Sequence, residues 1–263
     1  MVHPTYSLFL AVYLAHLLAD FVFQTDRIVF AKHLGAGKGY FLHALTHYLS
    51  VIGIVALVDP HRFLTLSFQL IAIVLSVVHL FVDWAKVSLT KAGRLPDNAV
   101  GFLLDQLVHL LTVLAAVLFL VHPPSPAWDS WLIRARSSQE KILLALVVYV
   151  FVIFAGGYLI RELIRPLWKQ DPGQPSENHD EVVNAGLYIG WLERLLILTA
   201  LVLQSPGTVG FILAAKSIAR YPELKSIRFA EYFLIGTLIS VTMAVGGAVL
   251  LLWAFYGTVS LAK

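Results

Sequence analysis

Four times in its first 110 residues the chain sets two ionisable side chains four positions apart inside an apolar stretch: His16 and Asp20, His43 and His47, His79 and Asp83, and Asp105 and His109. On an α-helix, residues i and i+4 share a face, so each pair aims two nitrogen or oxygen donors in one direction. An ionisable group in hydrocarbon is costly and usually marks a functional site. A helical membrane bundle with one shared polar centre accommodates all eight.

The composition agrees. The 263 residues are 59% hydrophobic and 13% charged, with a mean hydropathy of +0.79, whereas soluble domains carry about a quarter charged residues. The expected class is an all-α polytopic membrane protein with membrane lipid as its surroundings. A net charge of +3 suits basic loops facing anionic lipid and gives no reason to expect a nucleic-acid partner. There is no cysteine, which excludes disulfides, thiolate nucleophiles and sulfur-ligated zinc or iron–sulfur sites. A metal in this chain would be held by nitrogen and oxygen, the ligand set of catalytic Zn, Mn or Fe. No Lys or Arg precedes the first apolar run, so that run reads as a span and not as a signal peptide.

Seven stretches are long enough to cross about 30 Å of hydrocarbon: 6–23, 41–58, 67–86, 99–121, 140–160, 185–203 and 231–257. The short apolar stretch 206–220 leaves seven or eight spans open. Two breaks interrupt the series. The first is a connection at 122–139 with Pro123, Pro124, Pro126, Trp128 and Trp131, and the second is a turn-rich polar loop at 161–184. Residues 1–121 therefore form a four-helix unit bearing every pair, and 140–263 form a C-terminal helical half.

The first unit reads as a duplication. HLLADF (16–21) and HLFVDW (79–84) share a His-Leu-x-x-Asp-aromatic pattern, and a second pair follows each of them after a similar interval. Each repeat is a helical hairpin, and two-span repeats share one orientation, as in parallel transporter repeats. At 1.5 Å per residue, His16 and Asp20 lie ~10 and ~4 Å from the end of span one, and His43 and His47 ~3 and ~9 Å into span two. His79 and Asp83 repeat the first depths, while Asp105 and His109 lie ~9 and ~15 Å into span four. Spans one and three run out where two and four run in, so all four pairs share one leaflet.

Dinuclear carboxylate proteins build their sites from inward His and carboxylate ligands on four helices. Five His and three Asp exceed one ion's needs, so two divalent ions (Zn, Mn or Fe), or one ion with supporting partners, are expected. The metal ligands would come from His16, Asp20, His43, His47, His79, Asp83, Asp105 and His109. An unligated carboxylate among Asp20, Asp83 and Asp105 would act as general base. Lys86 extends the His79–Asp83 stripe toward the mouth, where it could neutralise a phosphate or an oxyanion. Arg27, Lys32, Lys38, Lys91 and Arg94 in the adjacent loops favour a cytoplasm-facing site. Outside this unit, Arg194 and Glu231 are an expected interhelical pair, Lys216 and Arg220 read as interfacial or lipid-phosphate contacts, and the Gly-Gly pairs at 156 and 246 read as close-packing points.

The ordered set HLLADFVFQTD (16–26), HALTHYL (43–49), HLFVDWAK (79–86) and FLLDQLVHL (102–110) resembles a bacterial membrane family known as domain of unknown function 3307. GWLERLLI (190–197), AAKSIAR (214–220) and EYFLIGTLIS (231–240) resemble the C-terminal portion of its longer members. The resemblance implies a bacterial inner-membrane location and similarity to metal-dependent membrane hydrolases. The leading expectation is an intramembrane metal-dependent hydrolase acting on a lipid-borne or membrane-proximal ester or phosphoester. The alternatives are a di-iron membrane oxidase or hydroxylase and a transporter of metal ions or protons. The far halves of spans one to four are almost purely apolar, which weighs against conduction.

Overall fold

Buried positions recur every third or fourth residue along three of the helices that carry the pairs. The computed structural model describes residues 4–33, 37–121, 137–168 and 179–257. In it α3 (Gly37–Val58) buries Gly39, His43, His47, Val51 and Val55. Helix α5 (Leu66–Lys91) buries Phe68, Ala72, Ser76 and His79, and α6 (Ala99–Leu120) buries Asp105, His109, Val113 and Val117. Each stripe is polar toward one end and apolar toward the other. The helix α1 (Pro4–Phe21) is enclosed on most sides, with Leu8, Ala11, Val12, Leu14, Ala15 and Leu17 all buried.

The chain divides into two compact units, Met1–Val150 and Phe151–Lys263. In the first, α1 packs on α3, α3 on α5, α5 on α6 and α6 on α1, closing a ring of four helices; α7 (Ser138–Val150) lies against α1. Caps fix where the helices start. Asn98 Oδ1 accepts from the backbone N–H groups of Val100 and Gly101 at 2.9 and 3.2 Å, which sets the register of Asp105 and His109. Beyond the C-terminus of α5, Gly93 takes a left-handed φ of 70°, a turn that glycine enters without a Cβ penalty. Below the polar layer, Leu8, Ala11, Val12, Val51, Val55, Phe68, Ala72, Val113 and Val117 form one apolar core.

Two short helices were not anticipated from sequence. One is α2 (Asp26–His33), which folds the first connection back onto α3. The other is α4 (Pro60–Phe63), capped by Asp59, whose Oδ1 accepts from Arg62 N at 3.0 Å.

In the second unit a π-turn (Phe151–Ala155) leads into α8 (Gly156–Trp168). There α9 (His179–Val202) packs against α10 (Pro206–Ala219), and α11 (Ile227–Tyr256) packs against α8 and α9. The break expected at 161–184 is therefore helical through Trp168 and again from His179. Residues 169–178, and most of the proline-rich connection with Trp128 and Trp131, lie outside the described residues.

The chain is a multi-pass membrane protein. Among the described residues five helices are long and apolar enough to cross a bilayer: Gly37–Val58, Leu66–Lys91, Ala99–Leu120, Ser138–Arg165 and Ile227–Tyr256. Their outward faces leave large apolar side chains uncovered, Leu57 at 82% and Phe119 at 68% exposed among them, as lipid contact requires. The count of five replaces the seven or eight read from sequence. The apolar run of α1 is Thr5–Phe21 and that of α10 is Pro206–Ala219, both too short to join the five. Helix α9 carries Glu193 and Arg194 near its middle and is not among the five.

Candidate metal centre

All eight paired residues meet at one end of the four-helix ring. The i, i+4 spacing aims each pair inward, but the closest approaches are made between helices. Within a helix, His16 Nε2 to Asp20 Oδ2 is 3.6 Å, His79 Nε2 to Asp83 Oδ2 is 3.7 Å and His109 Nε2 to Asp105 Oδ1 is 3.5 Å. Across helices, His47 Nε2 lies 2.8 Å from Asp20 Oδ1, and His43 Nε2 lies 3.0 Å from His79 Nε2. The other nitrogen of His79, Nδ1, lies 3.1 Å from His109 Nδ1.

The donors gather most densely around Asp20. Its Oδ1 has the Nε2 atoms of His47, His43 and His79 at 2.8, 3.2 and 3.4 Å. A tetrahedral ion with nitrogen and oxygen ligands at 2.0–2.1 Å separates them by about 3.3 Å, so this spacing suits donors around a common cation. Three overlapping groups could hold a metal ion: His16, Asp20, His47 and His79; His43, His79 and Asp83; and Asp83, Asp105 and His109. In each the ligand atoms lie within 4.8 Å of one another. His79 is shared by the first two groups and Asp83 by the last two.

The five histidines are buried, His43 and His109 almost completely. His16 Nε2, His43 Nδ1 and His109 Nε2 have no hydrogen-bond partner, and neither does Asp105 Oδ1. Such orphaned atoms are uncommon in native interiors unless an ion or water completes them. Against His16, His47, His79 and His109 lies a void with room for about one water molecule, walled by Ser76, Thr112, Val51, Leu75 and Val113. Both hydroxyls donate back into their own helices, Ser76 to Ala72 O at 2.9 Å and Thr112 to His109 O at 2.8 Å. The apolar core closes this side.

The mouth side carries two lysines. Lys86 Nζ donates to Asp105 Oδ2 at 2.9 Å. Lys32 Nζ donates to Asp83 Oδ2 at 2.6 Å, and the Gln24 amide, turned for best bonding, accepts from Lys32 at 2.8 Å while donating to Asp20 O at 3.1 Å. Sequence reasoning counted Lys32 only as a loop charge and did not single out Gln24. The depth count held the available signal: donors within one or two turns of the helix ends lie within reach of the loops that join those ends.

The two hairpins agree within their first helices and differ across to their second. His16–Asp20 and His79–Asp83 span 3.6 and 3.7 Å, while the cross-helix contacts Asp20–His47 and Asp83–His109 span 2.8 and 3.5 Å. His61 lies in α4, beyond the opposite end of α3.

The second unit has a separate buried polar group. Arg194 does not pair with Glu231 as expected. Its Nε and Nη2 donate to Ile153 O at 3.2 and 2.8 Å, a carbonyl in the widened π-turn. Lys216 donates to Glu193 and to Thr237 Oγ1 at 2.5 and 2.9 Å. Arg220 instead faces Glu223 at 3.8 Å and the Phe229 ring.

Residues 8–139, half of the chain, match a family model described as protein of unknown function (DUF3307). No curated protein matches the chain, and no solved structure does.

Proposed function

We propose that this chain, which belongs to the DUF3307 family of unknown function, is an intramembrane metal-dependent hydrolase acting on a lipid-borne or membrane-proximal ester or phosphoester. The observation that carries the reading is the set of three imidazole nitrogens within 3.4 Å of Asp20 Oδ1, beside a void of about one water. His16, Asp20, His47 and His79 would hold the ion. When bound, it would acidify a water and polarise the substrate oxygen.

The remaining residues have distinct tasks. Asp83, outside that ligand group and 3.3 Å from His43, takes the proton of the attacking water and delivers it to the departing oxygen. The water oxygen bonds to the acyl carbon or phosphorus as the bond to the leaving oxygen breaks. Lys86, part-exposed at the mouth, faces the charge that develops. The valine and phenylalanine layer beneath the histidines keeps bulk water from the far side and supports chemistry over conduction. Basic residues in the loops on the cluster's side favour a cytoplasm-facing site in a bacterial inner membrane.

The test is hydrolysis by detergent-purified protein of p-nitrophenyl esters, bis(p-nitrophenyl) phosphate and a panel of phospholipids. Stripping with 1,10-phenanthroline should abolish turnover, and Zn or Mn should restore it. A metal-loaded protein that cleaves none of them, or a His47→Ala variant as active as wild type, would contradict the reading.

A further inference from the structure

The two halves of the cluster are not chemically equivalent. Superposing the repeats HLLADFVF (16–23) and HLFVDWAK (79–86) sets Lys86 at the position of Phe23, and the following pairs set Asp105 at the position of His43. Where the first copy has an imidazole and a phenyl ring, the second has a carboxylate and an ammonium, and those two are bonded at 2.9 Å. Asp105 is thus supplied with its own cation. Asp83 is as well, through Lys32 at 2.6 Å. The group His16, Asp20, His47 and His79 has no lysine bonded to its carboxylate; unpartnered atoms occur in both halves, at His16 Nε2 and at His109 Nε2, so the lysines are what distinguish them.

Charge decides between one ion and two. With the histidines neutral, the carboxylates Asp20, Asp83 and Asp105 against the ammoniums of Lys32 and Lys86 leave the cluster one negative charge. One divalent ion turns that into a single positive charge, which one anionic ligand balances. A second ion would leave three positive charges in a low-dielectric layer, beside lysines already bonded to one oxygen of each of its carboxylates, an arrangement whose desolvation is prohibitive.

On the reading of the site as a metal centre, we propose that it holds one ion, at His16, Asp20, His47 and His79. Lys32 and Lys86 then stand in the place of a second cation, and the substrate they receive is a phosphoryl group, not an uncharged carboxylic ester. In two-metal phosphoryl-transfer sites the second cation clamps the phosphate oxygens; ammonium groups serve the same charge.

Elemental analysis and the visible spectrum of the cobalt(II)-loaded protein in maltoside micelles test this without any turnover. About one cobalt per chain is expected at saturation, with a spectrum that responds to phosphate. Inorganic phosphate tests a soluble source, and phosphatidic acid against diacylglycerol of the same chains tests a lipid headgroup; a response to either supports the phosphoryl assignment and says which source is used. In the Lys32→Met, Lys86→Met double variant the affinity for the responding probe should fall at least about 10-fold, and the freed carboxylates should admit a second cobalt. Two cobalts in the wild type, or no response to either phosphate probe, overturns the inference while leaving the metal centre standing. No cobalt in the wild type overturns the metal reading itself.

Discussion

His43 and His79, from α3 and α5, set their Nε2 atoms 3.0 Å apart in a fully buried position. Two imidazole lone pairs at that distance repel unless a proton or a cation lies between or beside them. His79 faces His109 in the same way with its other nitrogen, at 3.1 Å, so it is the residue on which the interhelical contacts of the layer converge. His79 and Asp83 are each shared by two of the three candidate groups, but His79 also belongs to the proposed ligand set, which makes it the most costly to lose. His79→Ala should weaken metal binding by about 100-fold or more, and His109→Ala, on the lysine side, by about 10-fold at most. Competition against a chromophoric chelator measures both.

A ligand set drawn from α1, α3 and α5 ties three helices together, so binding the ion should stabilise the fold. At a free-metal concentration about 1,000 times Kd the gain is about 4 kcal/mol. Thermal unfolding in detergent should show a higher transition in the metal-loaded protein. The shift should vanish in Asp20→Ala, since Asp20 Oδ1 is the atom the imidazoles surround.

The apolar floor makes a prediction about transport. Val51, Val55, Val113 and Val117 continue the stripes of His47 and His109 toward the opposite face, packed on Phe68 and Ala72. No chain of acids leads through them. Proteoliposomes loaded with a zinc-sensitive dye should show no flux above empty vesicles, with or without a pH gradient.

In the second unit, Gly157 makes room for a buried cation. A Cβ at that position would lie 2.8 Å from Arg194 Nη2 and 3.1 Å from Trp191 Nε1. Arg194 is 3% exposed and bonded to Ile153 O, so it has little freedom to retreat. Gly157→Ala should cost about 1–3 kcal/mol, the cost of disturbing a buried charged hydrogen bond. Denaturant unfolding of the purified variant checks it, and metal content, set in the other unit, should be unchanged.

The convergence of the His and Asp pairs was legible in the sequence because it depends on local geometry. Four-residue spacing fixes the face of each helix, and the distance of His16, His43, His79 and Asp105 from their helix ends fixes the layer. What escaped depends on tertiary contacts. Lys32 reaches Asp83 only because α2 folds the connection back over the mouth. Arg194 turns to Ile153, not Glu231, because a π-turn at Phe151–Ala155 frees a carbonyl, and no residue pattern announces that turn. The span count ran high at 6–23 and 185–203: the first is the shorter apolar helix Thr5–Phe21, and the second, α9, is not among the five.

The central claim is that the His and Asp layer is a metal centre, and elemental analysis of gently purified wild-type protein after equilibrium dialysis against zinc tests it most directly. About one zinc per chain, retained after removal of free metal and lost in His79→Ala, is the predicted result. Wild-type protein that is folded yet holds less than about a tenth of an equivalent would contradict the account.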